Sequence, residues 1–112
     1  LYGLSSTIVN SAKKVPNDRT VKRETPAVED LRKLTLQNLS EASAIFKEAT
    51  DLSEYSIIFK NTGGEAEFPF WNHINGPIED AVWHAGQVVV LRRSAGNPIN
   101  PKVNVFLGKL ND

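Results

Sequence analysis

The stretch GPIEDAVWHAGQVVVLRRSAG, Gly76 to Gly96, carries its own start and stop signals. Asn75 or Gly76 stands at the cap position and Pro77 in the first turn, where a missing N–H costs nothing. Glu79 and Asp80 lie at the positive end of the helix dipole, and Arg92 and Arg93 at the negative end. Gly96 suits the left-handed residue that closes a helix, and Pro98 prevents continuation. The spacing therefore predicts a helix over about 77–95.

Upstream, TPAVEDLRKLTLQNLSEASAIFKEATDLSEY, Thr25 to Tyr55, reads as a second helix over about 26–52. Thr25 is the expected N-cap and Pro26 the first helical residue, with Glu29 and Asp30 in the first turn. Val28, Leu31, Leu34 or Thr35, Leu39, Ala42, Phe46 and Ala49 recur at steps of three and four, which draws one apolar stripe. The chain opens on LYGLSSTIVNSAKK, where Leu1, Leu4 and Ile8 keep helical spacing and Lys13 and Lys14 suit a C-terminal end. Residues 1–14 thus read as the tail of a helix whose beginning lies upstream. Between these helices, VPNDRTVKRET reads as a solvent-exposed connection with a turn at Pro16-Asn17-Asp18. After the second helix, Ile57-Ile58-Phe59 suits a short strand or irregular chain, broken at Gly63-Gly64. Phe68, Phe70 and Trp71 are expected to anchor this segment on a core, with an aromatic ligand cage as the other reading. In the tail, Val103, Val105 and Leu107 share a face if the chain is extended there, and that face is expected to lie against the bundle.

Two long helices and a helix tail imply an all-α, up-and-down bundle formed by residues 1–112 as one partial domain. Two and a half helices bury their stripes poorly alone, so either upstream helices or another chain would complete the core. Composition narrows the function. Thirteen basic and 13 acidic residues cancel, which disfavours the clustered positive surface that nucleic acid needs. The absence of cysteine removes disulfides, thiolate metal sites and a cysteine nucleophile from this chain. No apolar run approaches the roughly 18 residues of a membrane span. A cytoplasmic protein without nucleic-acid or membrane partners is expected.

Chemistry concentrates in the last helix. Asp80 and His84 are four apart and share a face, continued by Gln87 and Leu91. A carboxylate and an imidazole one turn apart can reach a single divalent ion at about 2.0–2.2 Å. The same spacing equally suits a side-chain hydrogen bond or a solvated pair. His84 as a general base oriented by Asp80 is a further reading, although no nucleophile motif accompanies it. His73, before the helix cap, is either a third ligand or a surface-loop histidine. Arg92 and Arg93 read as dipole-compensating residues or an anion site. Gly86 reads as a close helix crossing or a hinge, and Trp83 is expected to pack between helices.

The segment FPFWNHINGPIEDAVWHAGQVVVLRRSAGNPI resembles the final helix of the DinB/YfiT-like superfamily, whose members are four-helix bundles and in many cases hold a divalent metal with three histidines. The match lies in DAVWHAGQ, at His84, Gly86 and Gln87. Where the family has a first histidine this chain has Asp80, and the family's remaining ligand has no counterpart in residues 1–14. The resemblance implies an incomplete four-helix bundle of DinB/YfiT type. It implies zinc or nickel at Asp80 and His84 and Gln87 as a supporting or substrate contact, while His73 as a weaker ligand rests on its place before the helix cap. The implied activity is metal-dependent transfer of a low-molecular-weight thiol such as bacillithiol or mycothiol, or hydrolysis, with the metal lowering the pKa of a bound thiol or water. The competing reading is a metal-free helical bundle that acts by homodimeric association.

Overall fold

The computed structural model describes all 112 residues, as two compact units, residues 1–81 and 82–112. The first unit is not a helical bundle but a helix pair laid beside a small sheet. Its elements are helix α1 (Tyr2–Ala12), strand β1 (Asn17–Asp18), helix α2 (Val28–Glu48), the hairpin strands β2 (Ile57–Asn61) and β3 (Gly64–Phe68), and the start of helix α3 (Pro77–Ser94). Single 3-10 turns at Leu52–Glu54 and Phe70–His73 link them. The expected all-α four-helix bundle is therefore wrong: three helices accompany two separate sheets.

Helices α1 and α2 pack around Ile8, Val9, Ala12 and Ala42, with Ile45 and Phe46 against this cluster. Ala42 is buried in this contact, and its small side chain suits a close approach of the two helices. Polar residues share the contact. Ser5 and Ser11 are buried in α1, and Asn38 of α2 donates through Nδ2 to Ser5 Oγ (3.1 Å) and Ser6 Oγ (3.3 Å). Ser5 and Ser6 can accept because each spends its own hydroxyl proton on the Tyr2 carbonyl. The stripe on α2 thus runs through Asn38, while Leu39 and Val28, placed on it by periodicity, are exposed.

Helix α2 is shorter than its pattern suggests. It begins at Val28 after Ala27, in extended conformation, with no side-chain cap from Thr25. It ends at Glu48 because Ala49 is extended (ψ 132°), and Asp51 then caps the next 3-10 turn by accepting from the Ser53 N–H at 2.8 Å. Helix α1 closes with Lys14 in the left-handed region (φ 57°). Val15 N–H bonds to Asn10 O and Lys14 N–H to Ser11 O, each at 2.9 Å, so two orphan carbonyls are satisfied.

The sheet order is β1-β2-β3. Ile57 to Asn61 pairs antiparallel with Gly64 to Phe68 around a Thr62-Gly63 turn, and Gly64 takes φ 128°, which suits glycine alone. The β-branched run Ile57-Ile58 favours this extended state, and Ile57 is buried. β1 adds parallel to β2, Asn17 opposite Phe59 and Asp18 opposite Lys60. The expected solvent-exposed connection over residues 15–25 is corrected at this point, since Asn17 is buried inside it.

The second unit holds the rest of α3 and a hairpin of β4 (Val103–Asn104) and β5 (Lys109–Leu110). Gly96 (φ 73°) ends α3 as its sequence predicts, with Asn97 N–H to Arg92 O at 2.9 Å and Gly96 N–H to Arg93 O at 3.1 Å. The Arg92 side chain completes this turn by donating to Asn97 O, Asn97 Oδ1 and Pro98 O. In the hairpin, Asn104 Oδ1 accepts from Leu107 N–H, and Gly108 takes φ 64°. The tail is therefore a tight turn, with Val105 and Phe106 exposed, rather than one extended apolar face against a bundle. No helix is long and apolar enough to cross a membrane.

At the entry to α3, a Cβ placed on Gly76 would lie 2.5 Å from the Asn72 carbonyl oxygen, a backbone atom that cannot step aside. Gly76→Ala is expected to destabilise the protein by about 2 kcal/mol, in the range of overpacking changes. Urea unfolding at fixed protein concentration measures it, and a loss under about 0.5 kcal/mol would contradict the close approach.

Candidate functional site

Helix α3 places Asp80 and His84 one turn apart, as the spacing requires, with Gln87 next on that side. His84 Nδ1 lies 2.7 Å from Gln87 Oε1. A carbonyl oxygen only accepts, so Nδ1–H donates to Gln87 Oε1. Asp80 N–H donates to Gly76 O (2.9 Å), which closes the first turn of the helix.

His73 has a different fate. It sits on the 3-10 turn Phe70–His73 and is fully buried. Its ring meets Phe70 edge-on with centroids 5.2 Å apart and Phe46 at 6.0 Å, while Phe46 also meets Phe70 and Tyr55 edge-on. Ser11 Oγ donates to the Tyr55 carbonyl at 3.0 Å and so accepts from His73 Nε2–H at 2.8 Å. That direction is the reverse of a serine–base pair, in which the hydroxyl proton points at the imidazole. Nδ1 is left buried without a partner. Burial pushes the His73 pKa below its ordinary value of 6.5, because the interior disfavours imidazolium. Ser11 and His73 thus tie the α1 end to the chain leading into α3.

No group of three or more His, Cys, Asp or Glu side chains gathers to hold a metal ion. The expectation of a metal-binding group formed by Asp80, His84 and His73 is corrected accordingly. The physical reason lies in His73, whose Nε2 is bonded to Ser11 inside an aromatic cluster. Of the three aromatic anchors, Phe70 joins that cluster, whereas Trp71 and Phe68 are exposed.

One feature of the first unit has no signal in the sequence beyond a turn-forming Pro-Asn-Asp. A cleft of about 320 Å³ is lined by Thr7, Asn17, Asp18, Arg19, Val21, Arg23 and Phe59. Its polar groups are spent mainly on one another. Asp18 accepts from Thr20 N–H and Oγ1–H and pairs with Lys60 at 3.2 Å, and these bonds hold its carboxyl below the usual range. The Arg19 guanidinium lies 3.9 Å over the Phe59 ring, and Arg23 reaches Asn17 Oδ1 at 3.5 Å.

The most unusual surface is α3 itself. None of its residues is buried. Trp83, expected to pack between helices, is 71% exposed, Leu91 67%, Val82 64% and Val90 59%. Val82, Trp83 and Val90 lie toward one side of the helix, and Leu91 shares the side of Asp80, His84 and Gln87. Comparison with protein-family models, curated proteins and solved structures finds no match to this chain.

Proposed function

We propose that the chain acts by self-association through α3, as a homodimeric interaction module rather than as an enzyme. The observation that carries this is the α3 surface: 18 residues, with valines, leucine and tryptophan on several sides, and none of them buried. A cluster of exposed large apolar side chains ordinarily marks a contact surface, and an isolated helix of this length is marginal in water. Covering Trp83 and its neighbours with a second copy supplies the missing burial, and tryptophan is favoured at such centres. The likeness of Asp80–Gln87 to a DinB/YfiT final helix is kept as a proposal of kinship for α3, and a cytoplasmic location goes with the same reading.

Sedimentation equilibrium over a wide concentration range tests it. The expected result is a mass of two chains, with Trp83→Ala weakening the dimer by about 30-fold, the equivalent of about 2 kcal/mol for a central aromatic anchor. A single-chain mass at every concentration would sink the proposal.

A further inference from the structure

Resting on that reading, we infer that two copies pair their α3 helices antiparallel about a two-fold axis that passes Gly86. One face of α3 has a mirror-like order. Glu79 stands at one end and Arg93 at the other, Val82-Trp83 and Val89-Val90 lie between, and Gly86 is in the middle. The steps run three, four, three, four, so these positions form a single stripe, as in a coiled-coil seam. Glu79 and Arg93 are equidistant from Gly86, about 10 Å along the axis to either side at 1.5 Å per residue. In an isologous contact, residue i of one copy meets residue j of the other and the reverse holds too. With the axis at Gly86, Glu79 meets Arg93 of the second copy twice over, Val82 meets Val90, Trp83 meets Val89, and glycine faces glycine.

Charge selects this arrangement over a parallel one, which would set Glu79 against Glu79 and Arg93 against Arg93. The two helix dipoles also oppose each other when antiparallel. Arg93 suits the role better than Arg92, whose guanidinium is engaged with Asn97 and Pro98 in the closing turn. At the centre, a Cβ added to Gly86 would meet no atom within 4 Å in the single chain. Nothing within the chain therefore asks for glycine there, whereas a close crossing of two helices does.

The test is a charge exchange on the full chain, read as the dimer dissociation constant by sedimentation. Glu79→Arg and Arg93→Glu are each expected to weaken the dimer by about tenfold, because each sets two like-charge contacts across the seam. The double variant Glu79→Arg with Arg93→Glu is expected to return within about threefold of the wild type. Both changes oppose the α3 dipole, so recovery in the double variant cannot come from helix propensity, and helix content by circular dichroism is followed alongside. Gly86→Leu is expected to abolish the dimer with helix content unchanged. A wild-type dimer that ignores the single reversals, is not rescued by the double, or tolerates Gly86→Leu overturns the antiparallel seam and leaves association through α3 standing. A wild-type monomer overturns both.

Discussion

His73→Ala is expected to lower the unfolding free energy by about 3 kcal/mol, at the lower end for deletion of a buried aromatic ring. The side chain is enclosed by Phe46 and Phe70, and its loss leaves a cavity bounded by rings that hold the chain entering α3 against the first two helices. His73→Phe separates packing from polarity. It keeps a ring in the cluster and removes a buried acceptor, Nδ1, that has no partner. Ser11 keeps its bond to the Tyr55 carbonyl, so this variant should stay within about 1 kcal/mol of the wild type at pH 7.5. The pair also isolates a pH effect. The folded His73 pKa is lowered below 6.5 by burial, so the unfolded chain takes up a proton first as the solution is acidified. Stability from this group is complete above pH 6.5 and is lost as pH falls from there through the folded pKa. His73→Phe lacks the loss, so its advantage over the wild type must grow on acidification from pH 7.5 to 5. A constant difference across that range would contradict the account. Asp18 and Asp51, whose pKa values lie below the ordinary 3.8, lose their contributions only at lower pH and do not confuse the window. Protein concentration must be held fixed, because association shifts apparent stability.

Asn17→Ala is expected to cost a similar amount, about 3 kcal/mol, through hydrogen bonds rather than volume. Asn17 is buried, and its amide reaches two other elements and the connection before α2. Nδ2 donates to the Ile58 carbonyl of β2 at 3.1 Å, while Oδ1 accepts from Asn10 Nδ2 of α1 at 3.0 Å and, more weakly, from Arg23. Alanine leaves the Ile58 carbonyl without this donor and cuts β1 from α1. Asn17→Asp should be no better, since a carboxylate cannot donate to that carbonyl. The local readout is hydrogen exchange at the Arg19 amide, which bonds to Lys60 O at 2.9 Å and reports on the β1–β2 edge. Its protection should fall in both variants. A full-strength Arg19 amide together with a stability loss under 1 kcal/mol would show that Asn17 does not hold β1 in place.

The contrast between these residues and α3 shows where the sequence is legible. The α3 boundaries follow from Pro77 and Gly96, two residues whose effects are local and act through φ and the missing N–H. The interior of α2 follows from apolar periodicity, although its ends shift inward, because Ala27 and Ala49 leave the helical region despite the start signals of Thr25 and Pro26. The buried Ser5, Ser11 and Asn38 break the rule that a helix stripe is apolar, and they are tolerated because each finds a hydrogen-bond partner. The Asp80–His84 spacing was readable as geometry but not as chemistry. Distance along one helix says nothing of a third ligand, and His73 went to Ser11 instead.

By itself, the amino-acid sequence determined three helices, the caps of the last one, a neutral surface free of cysteine chemistry, and an α3 with apolar residues on several sides. Tertiary structure alone decided that residues 17–18 form a strand, since that strand exists only through parallel pairing with a segment some forty residues later. It likewise decided that His73 is buried and neutral, a state created by Phe46, Phe70 and Ser11 from three separate elements. The reason is range: caps and periodicity act within a few residues of the chain, whereas pairing and burial depend on partners that only folding brings near.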